Sequence, residues 1–308
     1  MPKPIPPRVH ARILALAAKG LSLRQIGRQL GIHETTVMRY ARTPMPAQHN
    51  APTALPRSMA EEYPPFDIAG PAKILLLSDI HIPFHDQGAL SAALVWGRKW
   101  GPTCVLLNGD TLDFHQVSRY DHDGSKVTYE EEIAAGCQFL RHLRALFPKA
   151  RMVFKEGNHE ERLEKYILAR APALFGLEAV TVAGLLGLAG FGVEHVRDQR
   201  VIRCGKLRVI HGHEYGGGLY APVNPARWLM QRARKPSIMG HLHQTSEQIE
   251  QDIDGRQLAT WSVGCLSGLH PRYRRLSAKW NHGFAALTIH RDGSFSVENR
   301  RIIGGEVL

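Results

Sequence analysis

Thiols are scarce in this chain. Its 308 residues include four cysteines, Cys104, Cys137, Cys204 and Cys265, widely spaced and without a C-x-x-C pair. That argues against a disulfide framework and against a thiolate metal site, and fits reduced thiols in a cytoplasmic protein. Long apolar runs are missing too. None reaches the ~18 residues that a transmembrane helix needs, so no membrane partner is expected. The stretch 13–18 follows basic residues as a secretory signal would, but it is too short and is flanked by Arg12 and Lys19. Acids are nearly absent from the first 44 residues. Glu34 stands alone there against eight bases, so the segment carries +7 of the net +11 and leaves +4 for the rest. This asymmetry points to an anionic partner for the N-terminal part, nucleic acid first among them, with a merely solvated basic face as the plainer alternative.

What is present begins with helical periodicity. Ile13, Leu14, Leu16 and Ala17 make an apolar stripe that stops at Gly20. Ser22 is placed to cap a second helix through Gln25, Ile26 and Leu30, ending at Gly31. A third, from about Glu34 to Tyr40, turns Val37 and Tyr40 inward and Thr35, Thr36 and Arg39 outward. With Gly27 at a helix crossing and Gly31 in a tight turn, this trio resembles the helix-turn-helix family. The family usually has Ala where Gly27 stands. The resemblance implies that residues 1–43 bind DNA, with Thr35, Thr36 and Arg39 facing the major groove.

Residues 44–72 are rich in proline and read as a stiff linker. From Lys73 to the end, short apolar runs alternate with helical patterns, which implies a layered α/β domain over residues 73–308. The runs 74–77, 105–107, 152–154, 207–210 and 238–239 read as buried strands. Helices are expected near 87–99, 129–147, 160–169 and 225–234, and later strands at 257–262, 284–290 and 294–300.

The chemistry lies where those first five strands end. The turns read Asp79-Ile-His81, Gly109-Asp110-Thr-Leu-Asp113, Gly157-Asn158-His159-Glu160, His211-Gly-His213 and Gly240-His241-Leu-His243. Sheets of this class gather ligands at the carboxyl ends of their strands, so the five turns should meet in one crevice. Carboxylate, amide and imidazole without thiolate suit divalent transition metals.

In this order and spacing the turns resemble the five signature blocks of the calcineurin-like metallophosphoesterase superfamily, over roughly residues 73–300. The resemblance implies a sandwich of two β-sheets flanked by helices, and a hydrolase with two divalent metal ions. Asp79, His81, Asp110 and His243 would hold one ion, and Asp110, Asn158, His211 and His241 the other, with Asp110 bridging. A metal-bridging hydroxide would attack phosphorus in line. His159 would be catalytic, stabilising the phosphoryl group and protonating the leaving oxygen. Mn²⁺ leads among the metals, with Fe, Zn and Ni as alternatives.

Other residues read more plainly. Lone histidines such as His10, His142, His195 and His290 are surface or capping residues, His213 is a ligand, a substrate contact or a support, and Asp113 orients a ligand or caps a helix. The protein-phosphatase branch grips phosphate with an Arg after the second block, but here Phe114 follows Asp113. The grip must come from elsewhere, and the segment 268–282 offers Arg272, Arg274 and Arg275 together with Tyr273 and Trp280. The expected substrate is therefore a phosphodiester of nucleic acid. The alternatives are nucleotides or other small phosphoesters, or a DNA-binding regulator whose phosphoesterase domain is inert. A phage or prophage setting suits this pairing of modules, and no feature fixes an oligomeric state.

Overall fold

The structure is a computed structural model that describes residues 5–45, 57–119, 127–216, 222–271 and 279–308. The chain divides into two units, Met1–Glu61 and Glu62–Leu308.

In the first unit, α1 (Pro7–Ala18), α2 (Leu23–Leu30) and α3 (Glu34–Arg42) pack around the fully buried Ile13, Ile26 and Val37. Ser22 and Gln25 cap α2 reciprocally, side chain to backbone in both directions. The helix ends at Gly31 in the left-handed region. A Cβ on Gly27 would stand 2.7 Å from the Ile32 carbonyl oxygen, so only glycine permits that approach. One expectation is corrected. His10 is buried, not a surface residue, because its Nε2–H reaches the carbonyls of Tyr40 at 2.8 Å and Thr43 at 2.9 Å. It ties α1 to the end of α3.

The second unit opens with β1 (Phe66–Asp67), β2 (Ala72–Leu77), α4 (Gln87–Trp100), β3 (Cys104–Asn108), α5 (Tyr129–Leu146) and β4 (Arg151–Lys155). There follow α6 (Glu161–Arg170), α7 (Val182–Leu186), β5 (Val193–Val196), β6 (Ile202–Cys204), β7 (Leu207–Val209) and α8 (Pro225–Ala233). The chain finishes with β8 (Ser237–Met239), β9 (Ser246–Gln251), β10 (Gln257–Ser262), β11 (His282–Ile289), β12 (Phe295–Ile303) and β13 (Glu306–Val307).

These strands form two sheets, ordered β13-β12-β11-β2-β3-β4-β5 and β1-β6-β7-β8-β10-β9. Strands β2 to β5 are parallel to their neighbours within that run, as are β7, β8 and β10. Side chains alternate across each strand. Ile74 and Leu76 of β2 share an apolar cluster with Val209, Ile238 and Trp261 of the other sheet. Leu75 and Leu77 instead join Leu90 and Leu94 of α4 and Leu140 and Leu143 of α5. On the second sheet, Leu229 of α8 packs with Ile210 and Met239. The layers are thus helix, sheet, sheet, helix. Both faces of the strands are covered, which is why they read as unbroken apolar runs.

Phe66–Asp67, expected inside the linker, instead forms a strand parallel to β6, and Arg203 donates to both oxygens of Asp67, at 2.5 and 2.7 Å. Strand β9 was not foreseen, since its sequence holds Ile249 as the only apolar residue. As a sheet edge it needs no apolar face.

Candidate metal centre

Backbone pairing continues beyond the strand ends. Asp79 N–H donates to the Gly109 carbonyl at 3.1 Å and His81 N–H to that of Asp110 at 3.0 Å, so the loops after β2 and β3 lie side by side. Asp79, His81 and Asp110 have φ of 55°, 54° and 50°, and His241 and His243 have 67° and 55°. Left-handed backbone costs a non-glycine residue of order 1 kcal/mol. Here it recurs at predicted ligands from three separate loops, where side-chain direction matters most.

Asp110 is at the centre and is 1% exposed. Its Oδ1 accepts the His159 N–H at 2.9 Å. Its Oδ2 faces three imidazoles, with His211 Nε2 at 3.3 Å, His159 Nε2 at 3.8 Å and His81 Nε2 at 3.9 Å. Asp79, also buried, accepts the His241 N–H on both oxygens, at 3.0 and 2.9 Å, and its Oδ1 lies 3.2 Å from His243 Nε2. His81 Nε2 and His243 Nε2 are 3.3 Å apart.

These residues fit divalent metals. One donor atom from each of Asp79, His81 and His243 lies within 4.8 Å of the others, and the same holds for Asp110, His211 and His241. Buried polar atoms are almost always hydrogen-bonded. Asn158 Oδ1, His211 Nε2 and His241 Nδ1 are buried and have no such partner. The ring orientations are also set. His211 Nδ1 donates to the Asn108 carbonyl at 2.8 Å, which turns Nε2 toward Asp110. His81 Nδ1 meets Asp113 Oδ2 at 3.1 Å, so Asp113 orients a candidate ligand instead of capping a helix.

His159 is arranged differently from the expectation. Its Nδ1 lies 2.7 Å from the Asp113 carbonyl and its Nε2 2.8 Å from Arg162 Nη2. A carbonyl only accepts and a guanidinium only donates. The ring is therefore neutral, with its one N–H already spent. Burial is the main influence on it and pushes its pKa down to about 3. In this arrangement the ring bridges the Asp113 carbonyl and Arg162.

Several supporting residues were not foreseen. The Glu160 carboxylate accepts backbone N–H groups from Asp110, Thr111, Leu112 and Gly157, at 2.8 to 3.0 Å, which clamps the loops after β3 and β4 together. A Cβ on Gly157 would overlap Asp110. Lys155, fully buried at the end of β4, pairs with Glu214 at 3.0 Å, and Glu214 accepts the N–H groups of His211 and Gly212 at 2.9 and 2.6 Å. His213 bonds Glu161 at 2.7 Å, which makes it a support for this edge of the site. Glu160 was visible in the Gly157–Glu160 block, but Lys155 and Glu214 have no local signal. On α3, Thr35 and Arg39 are exposed and Thr36 is half-buried. Arg272, Arg274 and Arg275 lie outside the described residues.

No family model matches the chain. A dimetal phosphatase from Danio rerio is similar to it at 14% identity, over 80% of this chain and 98% of that one, with a TM-score of 0.38. The Gene 54 protein of Mycobacterium phage L5 is 30% identical over 251 residues, 74% of this chain and 97% of that protein. The Gene 54 protein of Mycobacterium phage D29 is 31% identical over 246 residues, 76% of this chain and 94% of that protein. The chain belongs to the family of the mycobacteriophage Gene 54 proteins.

Proposed function

We propose that the second unit is a two-metal phosphoesterase of the calcineurin-like kind, acting on phosphodiester bonds of nucleic acid. The observation that carries this reading is the convergence of His81, His159 and His211, from three different strand ends, on one oxygen of the buried Asp110. A carboxylate so placed would serve two cations at once. Asp79, His81 and His243 would complete one site, and Asn158, His211 and His241 the other.

When bound, such cations polarise phosphoryl oxygens and lower the pKa of water. The chain's own contribution is preorganisation. Asp113 and the Asn108 carbonyl fix the two rings through Nδ1, Glu160 holds two ligand loops in register, and Lys155 with Glu214 sets the His211 turn. Mn²⁺ is the first metal to try.

The nucleic-acid part of the reading is supported by the first unit. Its basic charge and the exposed Thr35 and Arg39 of α3 suit a DNA-binding helix-turn-helix, which would raise the local concentration of substrate. The test is cleavage of DNA and of bis(p-nitrophenyl) phosphate by the full chain with Mn²⁺. Hydrolysis abolished by chelation and restored by Mn²⁺ is expected. Absence of metal-dependent turnover on both substrates overturns the reading.

A further inference from the structure

We infer that Arg162 is the residue that grips the phosphoryl group, and that His159 positions it. This rests on the phosphoesterase reading above. Arg162 lies in the first turn of α6, directly after the turn that carries Asn158 and His159. Its Nη1 donates to the Asp113 carbonyl at 2.9 Å and its Nη2 to His159 Nε2 at 2.8 Å. That nitrogen of His159 is in turn 3.8 Å from Asp110 Oδ2. The guanidinium is therefore fixed one imidazole away from the central carboxylate.

Its charge is only loosely matched by the protein. Both close partners are neutral acceptors, and the nearest carboxylate oxygen, Asp113 Oδ1, stands off at 3.7 Å. Arg151 and Arg203 show the contrast, each forking onto a carboxylate through two bonds of 2.5 to 3.0 Å. Arg162 is only 18% exposed in its side chain, so solvent does little to offset the cation. Lys155, the buried cation at the neighbouring strand end, is already paired with Glu214. A largely buried, loosely compensated guanidinium with N–H groups to spare is suited to a tetrahedral oxyanion with paired oxygens. Phe114, fully buried, brings no charge to this edge of the site.

His159 acquires a definite task in this arrangement. The Asp113 carbonyl takes its N–H, which forces the lone pair onto Nε2, and the lone pair orients Arg162. An uncharged acceptor there steers the guanidinium without quenching it.

The experiment compares the wild-type full chain with Arg162→Ala and Arg162→Lys, each loaded with Mn²⁺. Three quantities are read: metal content, calorimetric affinity for inorganic phosphate, and KM and kcat on bis(p-nitrophenyl) phosphate. Arg162→Ala is expected to keep its metal, weaken phosphate binding at least about tenfold and raise KM similarly, with Lys recovering part of the binding. Should Ala disturb folding, Arg162→Lys alone decides, since it keeps the stem and charge but loses the fork. Unchanged phosphate affinity and KM in a folded variant overturn the inference while leaving the phosphoesterase reading intact. No turnover by the wild type, with phosphate binding still dependent on Arg162, removes the phosphoesterase reading and leaves the anion site.

Discussion

Asp113 Oδ2 lies 3.1 Å from His81 Nδ1, and this bond decides which nitrogen of the ring looks toward Asp110. Burial opposes a charge on this carboxyl, but the His81 bond and the Arg162 cation nearby hold it down at about 2. Replacing Asp113 by Ala frees the ring to turn and removes the group that makes it a stronger donor. Metal affinity is expected to fall roughly 10–100-fold, as for other supports of metal-binding histidines. Titration with Mn²⁺ checks this, and unaltered affinity would mean that Asp113 does not orient His81.

Glu160 supports the site mechanically. Its carboxylate takes four backbone N–H groups that have no other acceptor in the two loops it joins. Glu160→Ala leaves those amides buried and unpaired, at a cost of about 3–5 kcal/mol. Urea unfolding of the metal-free protein measures it, because a loss seen there is independent of bound metal. A change below about 1 kcal/mol would show that water replaces the carboxylate.

Glu132 predicts a pH dependence away from the candidate ligands. Burial raises its carboxyl to about 8 from an ordinary 4.5; the Phe114 N–H opposes the shift and Asp113 adds to it. Between pH 4.5 and about 8 the folded protein then keeps a proton that the unfolded chain has already released. The contribution to stability is complete below that window and is lost as pH rises through it, by about 1.4 kcal/mol per pH unit. Glu132→Gln should flatten the profile and stabilise the protein most near its upper end. Parallel urea midpoints for the two proteins across this range would contradict the shift.

The first unit should make nucleic-acid binding salt-dependent. Removing residues 1–61 takes away the basic segment, so the slope of log affinity against log salt should flatten by about one for each phosphate that this segment neutralises. An identical slope for both proteins would place the binding elsewhere.

Most of the candidate site was legible because its residues follow buried strands whose apolar runs are unmistakable. Asp79, Asp110 and His241 each come within two residues of a strand end, so strand and site were found together. What stayed hidden depends on pairings distant in sequence. Nothing beside Lys155 announces Glu214, and nothing beside His159 announces that Arg162 and the Asp113 carbonyl occupy both ring nitrogens. Strand β9 was lost for a different reason: a polar edge strand has no hydrophobic signature.

The most direct measurement of the central claim is metal content of the purified full chain and of Asp110→Asn by elemental analysis. Serving both sites, Asp110 should be the residue whose change costs both ions. About two divalent ions per chain are predicted for the wild type and well under one for the variant. A wild-type chain that retains no divalent metal, or a variant that holds as much as the wild type, would contradict the account.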